Sequence, residues 1–163
     1  MAHCYLLLGA NQGDASINFN VAIKLISETI GEVISTSSYY NCEPWGYESS
    51  NCYTNIALCV DTNFKALEIL DRTQAIEKQL GRKDKTVGVN YTDRVLDIDL
   101  LDYNGECFHN ERLTLPHPRM HRRKFALLPL ADIAPNYKHP LLRLSIEEMF
   151  EMMSDPSIVE KVG

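Results

Sequence analysis

The 163-residue sequence lacks the features of membrane, secreted and nucleic-acid-binding proteins. No apolar stretch approaches the roughly 20 residues needed to cross a bilayer, and no basic region precedes the apolar residues near the N-terminus. Lysine and arginine number 16 against 22 acidic residues, a formal net charge of −6, whereas nucleic-acid-binding chains are usually basic. These absences predict a protein that binds neither membranes nor nucleic acid.

The cysteine pattern also lacks the signature of a metal-binding or disulfide-stabilised fold. There are five, an odd number, and no two form a C-x-x-C pair, which argues against a zinc knuckle and a disulfide scaffold. Reduced cysteines indicate a cytoplasmic protein. The 45% hydrophobic and 23% charged residues are typical of a globular chain. The length predicts a single domain, residues 1–163, with no reason to expect more than a monomer.

Hydrophobic periodicity predicts an α+β order of elements. Strands are expected at 3–8, 33–40, 53–60 and 94–103, and a short one at 107–108 after an Asn104-Gly105 hairpin turn. Helices are expected from Asp14 or Ser16 to Gly31 and from 64 to 80, with a mostly helical end that Pro129 and Pro135 interrupt. This order predicts an antiparallel-rich sheet with helices packed on it, in the manner of a split βαβ unit.

The first two predicted helices have apolar stripes, and the C-terminal helical region has a capping signal. The first stripe is Ile17, Val21, Leu25 and Ile26, and the second is Leu67, Leu70, Ala75, Ile76 and Leu80, closed by Gly81. Ser145 with Glu148 forms a capping-box pattern.

The most informative stretch is the D-x-D of residues 97–99. Because strand side chains alternate, Asp97 and Asp99 share one face while Leu96, Ile98 and Leu100 lie on the other. The two Cα atoms would lie about 6.6 Å apart. Such carboxylates can hold one hard cation or bridge two, as phosphoryl-transfer sites require. So short a pattern leaves open that they line a solvated face.

A basic cluster follows at 112–125, with five Lys or Arg in fourteen residues and no acid. Guanidinium groups pair with two phosphate oxygens at once, although a solvated basic surface is the alternative. A second basic group, Arg82, Lys83, Lys85 and Arg94, lies near the aspartates in sequence. The combination indicates a Mg-nucleotide site more than a nucleic-acid site.

Two further pairs share a face by their spacing. Gln74 and Glu77 lie three residues apart on a helix, and Tyr53 and Asn55 alternate onto one strand face. An aromatic plane beside an amide could stack and read a flat heterocycle. Spacing alone favours the simpler interpretations, an exposed polar helix face and ordinary sheet packing.

Seven motifs follow one another along most of the chain, from residue 4 to Pro135. They are Gly9-Ala10-Asn11, Tyr53-x-Asn55, Gln74-x-x-Glu77, Gly81-Arg82, Arg94-x-x-Asp97-x-Asp99, Leu113-Thr114-x-Pro116-His117-Pro118-Arg119 and Arg123-x-Phe125. Their order and gaps resemble the 6-hydroxymethyl-7,8-dihydropterin pyrophosphokinase family. The resemblance implies a ferredoxin-like α+β fold and transfer of the pyrophosphoryl group of ATP to the hydroxymethyl group of the pterin in folate synthesis.

The resemblance also implies a role for each matching residue. Asp97 and Asp99 would bind two magnesium ions and, with Arg82, Arg94 and Arg123 on the phosphates, form the catalytic set. The ATP site would contain Gln74, Glu77, Leu113, Thr114 and His117, assisted by Arg112 and Arg119. The pterin would be held by Tyr53, Asn55 and Phe125 and by loop 42–46, with Cys42, Glu43 and Trp45.

The departures from the family pattern lie in two loops. Asp84 stands where many members have a basic residue, and Tyr91 is the candidate for a lid tryptophan that this chain lacks. Cys42 and Glu43 replace a common Thr-Pro. Residues 82–93 are polar and aperiodic, which predicts a lid that excludes water. ATP is expected to bind before the pterin, and deletion of 83–91 is expected to slow turnover more than it weakens ATP binding.

Two other functions fit parts of the pattern. A nucleotidyltransferase also uses D-x-D but has a Gly-Ser turn ahead of it, which Val87-Gly88-Val89 matches poorly. A non-catalytic ferredoxin-like module could bind RNA or an amino-acid effector. RNA binding would call for several stacking aromatics and a basic surface.

Overall fold

The computed structural model describes residues 1–10, 14–42, 53–81 and 95–162. The elements are β1 (Ala2–Ala10), α1 (Ala15–Thr29), β2 (Gly31–Thr36), β3 (Tyr39–Cys42), β4 (Tyr53–Thr62), α2 (Ala66–Gln79), β5 (Asp97–Tyr103), β6 (Phe108–His109), β7 (Thr114–Leu115), a 3-10 turn (Met120–Arg122), α3 (Lys124–Ile133), α4 (Ile146–Met152) and β8 (Val159–Val162). The main sheet runs β5-β1-β4-β3-β8, and β2 also pairs with β4. Every pairing in it is antiparallel. The predicted ferredoxin-like α+β fold is confirmed.

The sheet separates two apolar cores. On one face, which we call the α1 face, Leu6, Leu8 and Ile98 pack with buried residues of α1 and α2. On the other, the α3 face, Leu7 and Leu101 pack with α3 and α4. Neighbouring strand residues therefore serve opposite cores, as the two-residue period of a strand requires.

The first helix begins as predicted but packs differently. The Asp14 carboxylate accepts hydrogen bonds from the backbone N–H groups of Ser16 and Ile17, at 3.0 and 3.2 Å, and so caps α1. The predicted apolar stripe was wrong in part, because Ile17 and Val21 are 58% and 39% exposed. The helix instead buries Phe19, Ala22 and Ile26. Two adjacent stripes of this helix are apolar, and only contact with the sheet selects between them.

The second helix ends where the sequence predicted. Gly81 has a φ of +118°, a conformation that favours glycine at a helix end. The predicted stripe was wrong at Ala75, which is exposed, whereas Ile76 is buried as expected. Ile69 and Thr73 complete the buried face.

The predicted strand 33–40 is two strands. Ser37 lies between β2 and β3, donates its N–H to the Ala57 carbonyl at 2.9 Å and accepts the Ala57 N–H on its hydroxyl at 2.9 Å. The serine side chain thus replaces a ladder bond, and the chain shifts along β4 before pairing resumes in β3.

The later elements contain both confirmations and corrections. Asn104 and Gly105 adopt the positive φ values of a tight hairpin turn, yet the following strand pairs with β7 and does not return along β5. Pro129 lies inside α3 and does not interrupt it, because losing one N–H donor does not outweigh the burial of this apolar helix. The Ser145–Glu148 capping box is confirmed. The strand β8 was not predicted.

Within the described ranges, none of the helices combines the length and the apolar character needed to span a membrane.

Candidate functional site

The acidic residues of β5 lie on the α3 face. Asp97 and Asp99 are partly exposed, whereas Leu96, Ile98 and Leu100 are buried in the core of the opposite face. The alternation predicted for this strand is confirmed. The fold can therefore present two neighbouring carboxylates without placing either in an apolar core.

The register of the sheet places an amide opposite these acids. Gly9 pairs with Asp97 of β5 on one side and with Asn55 of β4 on the other. Directly paired residues of antiparallel strands point to the same face. Asp97, Gly9 and Asn55 therefore form one row across the α3 face, which we call the central row, with its outer members about 10 Å apart.

The middle position of the central row has no side chain. A Cβ added at Gly9 would lie 2.8 Å from Asn55 Oδ1, closer than two such atoms can approach. The Asn55 side chain, only 4% exposed, therefore depends on the glycine for its space. In the sequence Gly9 stands out only as the first residue of the Gly9-Ala10-Asn11 motif, and no local pattern indicated this spacing role.

Two more predicted residues continue from the amide end of the row. Tyr53 lies two residues before Asn55 on β4, on the same face, and is partly exposed. It pairs with Cys42, the last residue of β3, which is 4% exposed. An aromatic ring and an amide thus lie side by side, as the alternation predicted.

The start of α3 brings a cation and a second aromatic ring to this face. The Arg123 guanidinium carbon lies 5.4 Å from the centre of the Phe125 ring. Burial lowers the pKa of Arg123, while the negative charges of Asp99 and Asp97 raise it. The guanidinium therefore lies within electrostatic reach of both acids, although the two elements are far apart in sequence.

His117 adds a neutral hydrogen-bonding group. Its Nδ1 accepts the backbone N–H of Arg119 at 3.1 Å. Burial, together with the positive charges of Arg123 and Arg119, lowers the pKa of His117 to about 4. At neutral pH the ring is uncharged, and because Nδ1 is the acceptor, Nε2 carries the proton and can donate it in a hydrogen bond.

The C-terminal half of α2 covers the outer edge of β5. The Glu77 carboxylate accepts the backbone N–H of Ile98 at 2.7 Å, and the residue is only 6% exposed. Glu77 thus fixes the peptide between Asp97 and Asp99. A cavity of about 480 Å³ runs beside it, lined by Asp71, Gln74, Ala75, Glu77 and Lys78.

The predicted residues 112–114 lie near this cavity. Arg112 pairs with Asp71 of α2 through Nη2 and Oδ1, 2.6 Å apart. Leu113 is partly buried against the core of the α1 face. The Thr114 hydroxyl lies 2.9 Å from His109 Nδ1. The structure therefore brings the β6–β7 segment and α2 together, as an ATP site made from both would require.

The remaining predicted site residues lie outside the described residues. They are Glu43 and Trp45 of the pterin loop, Arg82 and Tyr91 of the predicted lid 82–93, and Arg94, which directly follows it.

The donors present fit a metal ion shared with a substrate. In the part of the chain that the structure describes, no group of three or more His, Cys, Asp or Glu side chains is arranged to hold a metal. Asp97 and Asp99 offer hard carboxylate oxygens on one strand face. Mg²⁺ is commonly bound by one or two carboxylates together with substrate phosphates and water. These two residues suit that kind of site and not a cage built from protein alone.

Comparison with known proteins identifies the class and then the family. The solved structures that resemble this fold include the Plasmodium falciparum HPPK-DHPS wild type with pteroate, with a TM-score of 0.76 at 17% identity over 93% of this chain. This chain spans 44% of that longer protein, so the likeness shows the fold alone.

The sequence comparisons are more specific. The 7,8-dihydro-6-hydroxymethylpterin-pyrophosphokinase (HPPK) family profile matches residues 5–135. A 2-amino-4-hydroxy-6-hydroxymethyldihydropteridine pyrophosphokinase of Porphyromonas gingivalis is 39% identical over 141 residues, 86% of this chain and 95% of the relative. One from Haemophilus influenzae is 32% identical over 161 residues, 98% of each chain. The chain belongs to the HPPK family.

Proposed function

We propose that the α3 face around the central row is the active site in which this chain carries out the reaction of its family. As a member of that family, the chain transfers a pyrophosphoryl group from ATP to the hydroxymethyl group of 6-hydroxymethyl-7,8-dihydropterin, a step of folate biosynthesis. The observation that carries the site assignment is the central row itself. It holds a carboxylate pole and an amide pole on one face, one strand apart.

The pterin belongs at the amide pole. Asn55 can donate and accept hydrogen bonds at the edge of a heterocycle. Tyr53 and Phe125 supply the flat apolar surfaces that a bicyclic ring stacks against. Cys42, at the end of β3, closes this side, and the pterin loop that follows it remains a prediction.

The nucleotide belongs at the acidic pole. Gln74 and Glu77 line one cavity along α2, and Glu77 bonds to the backbone of β5. The β6–β7 segment, with Leu113 and Thr114, borders the same helix through the Arg112–Asp71 pair. The polyphosphate of the bound ATP would extend towards Asp97 and Asp99 and meet Arg123. Arg112 and Arg119 would assist in binding it.

Pyrophosphoryl transfer requires the protein mainly to position the two substrates and to neutralise charge, and little covalent catalysis. Two magnesium ions held by Asp97 and Asp99 would neutralise polyphosphate charge and lower the pKa of the acceptor hydroxyl. Arg123 stabilises the negative charge that builds up on the phosphate oxygens. Neutral His117 donates its Nε2–H to a phosphate oxygen without adding charge. Glu77 holds the Ile98 peptide, and with it the separation of the two aspartates.

The direct test measures AMP formation. AMP should be released from ATP only when both the hydroxymethyl-dihydropterin and magnesium are present. AMP release without the pterin would contradict a pyrophosphoryl transfer at this site. Calorimetry with a non-hydrolysable ATP analogue, with and without magnesium, tests the alternative of a non-catalytic module, which would show no magnesium-dependent nucleotide binding.

A further inference from the structure

The C-terminal segment, residues 153–162, links two elements that carry the pterin side of the site. It first crosses the start of α3, where Arg123 and Phe125 lie. It then forms β8, which pairs with β3 from Tyr39–Val162 to Cys42–Val159. No local sequence pattern indicated this arrangement, because the contacting residues are about 30 positions apart or more.

Asp155 makes the contact with α3 through a compact set of hydrogen bonds. Its Oδ2 accepts the backbone N–H of Lys124 at 3.0 Å. Its Oδ1 accepts the N–H and the hydroxyl of Ser157, at 2.8 and 2.6 Å. The Lys124 ammonium donates in turn to the Ser157 carbonyl at 2.9 Å. Lys124 of the helix thus donates both hydrogen bonds that join helix and segment, one from its backbone and one from its side chain.

This contact supplies what α3 lacks at its own start. The N-cap residue Arg123 makes no side-chain capping bond, so the Lys124 N–H, which has no partner within the helix, is satisfied by a distant carboxylate instead. Negative charge is also favourable at a helix N-terminus. Burial opposes ionisation of Asp155, but the hydrogen bonds from Ser157 and Lys124 lower its pKa overall, so it is charged at neutral pH.

The position of Lys124 determines the positions of its neighbours. Arg123 precedes it and Phe125 follows it, and their side chains lie against each other. A shift or fraying of this first turn would move both the cation that faces Asp97 and Asp99 and the ring assigned to the pterin.

We propose that Asp155 is a positioning residue of the active site, which fixes the first turn of α3 so that Arg123 and Phe125 face the central row. The inference rests on the proposed function, since it uses the roles given there to these two residues. Asp155 itself touches no reacting group. Its removal is expected to weaken pterin binding about tenfold, the scale for loss of one hydrogen bond to a charged group.

A double-mutant cycle tests whether Asp155 acts through Phe125. Pterin is titrated by calorimetry onto protein saturated with magnesium and a non-hydrolysable ATP analogue, for wild type, Asp155→Ala, Phe125→Ala and the double variant. Asp155→Asn runs in a parallel cycle, so that the test does not depend on the alanine variant folding. Glu151→Ala, an exposed acid on the preceding helix, is the matched control and should bind as the wild type does.

The expected result is non-additive. Asp155→Ala should weaken binding about tenfold in the wild-type background and less than about twofold in Phe125→Ala, because the group it positions is already gone. Additive effects would show that Asp155 acts elsewhere, and unchanged binding would show that it does not act on the site. Either result overturns the inference.

The same cycle separates this inference from the proposed function. If Phe125→Ala weakens pterin binding and Asp155→Ala does not, only the inference fails. If Phe125→Ala alone leaves pterin binding unchanged, the pterin side of the proposed site is wrong, and the inference fails with it.

Discussion

The two faces of the sheet use the same strands for different purposes. On the α1 face, β5 contributes Ile98, β1 contributes Leu8 and β4 contributes Ile56, all buried in one core. On the α3 face, the adjoining residues of the same strands include Asp97 and Asn55 of the central row. The α1 face carries one continuous apolar core across these three strands, whereas on the α3 face the apolar packing with α3 and α4 gives way to the polar residues of the central row.

This difference shows how the chain can hold acids close together. Neighbouring carboxylates repel each other, and that cost must be offset elsewhere in the fold. The continuous core on the α1 face provides the offset through the residues between and beside the acids. Substitutions one position apart on β5 should therefore have opposite effects. Substitution of Asp97 or Asp99 should lower activity without lowering stability, and substitution of Ile98 should lower stability without lowering activity.

The largest effect is expected from breaking the acidic pole. Asp97→Asn or Asp99→Asn should lower pyrophosphoryl transfer about 100- to 1000-fold, as loss of a preorganised charged contact does, with a melting midpoint no lower than that of the wild type, because one repulsive charge is removed. The measurement is turnover at saturating ATP, magnesium and pterin. Near-normal turnover in either variant would remove these residues from the catalytic set.

Ile98→Val is the matched control for that pair. It should leave turnover unchanged and lower the free energy of unfolding by about 1 kcal/mol, because a buried methylene is lost. Denaturant unfolding measures this loss. A fall in turnover comparable to that of the aspartate variants would mean that the two faces are not separable.

The aromatic side of the site should show a smaller and more selective effect. Tyr53→Ala removes a ring that we propose stacks against the pterin, so the KM of the variant for pterin should rise about tenfold. ATP affinity should stay unchanged, because the nucleotide is assigned to the other pole. If ATP affinity changes instead, Tyr53 belongs to the nucleotide site.

A still smaller effect is expected at the middle of the central row. In Gly9→Ala the new methyl group displaces the Asn55 amide, and pterin affinity should fall about fivefold while binding of an ATP analogue stays the same. Ala10→Gly, one residue on and facing the other core, serves as control. It should cost about 0.5–1 kcal/mol of stability and leave both affinities intact.

The smallest effect concerns pH. His139 is 3% exposed and accepts the N–H groups of Leu141 and Leu142 on Nδ1. Burial, with a smaller contribution from the nearby His121, lowers the pKa of His139 to about 4. The unfolded chain therefore takes up a proton near pH 6.5 that the folded chain refuses, so this contribution to stability is lost as the pH falls from 6.5 to 4.

His139→Asn isolates that contribution, since asparagine keeps an acceptor but does not titrate. Between pH 7 and pH 5 the melting midpoint of the wild type should fall by about 2–4 °C more than that of the variant. Parallel curves for the two proteins would contradict the assignment.

The sequence predicted the features that depend on neighbouring residues, such as side-chain alternation and helix caps. It did not predict the features that depend on how strands and helices pair in the fold. The alternation of Asp97 and Ile98 follows from neighbouring residues alone, and the caps at Asp14 and Ser145 likewise need only a few residues. The central row depends on the register of three strands, which no local pattern specifies. The choice of Phe19 over Ile17 in α1 and the contact of Asp155 with Lys124 also require the assembled fold.

The bare backbone at Gly9 has one more consequence. Across Gly9, β5 and β4 are separated by twice the spacing of hydrogen-bonded strands, about 4.8 Å each. That spacing comes from the geometry of hydrogen-bonded peptide groups, so substituting side chains on β5 or β4 cannot widen or narrow it. The distance between the acidic pole and the amide pole, to which we assign the triphosphate and the pterin ring, is therefore set by the backbone.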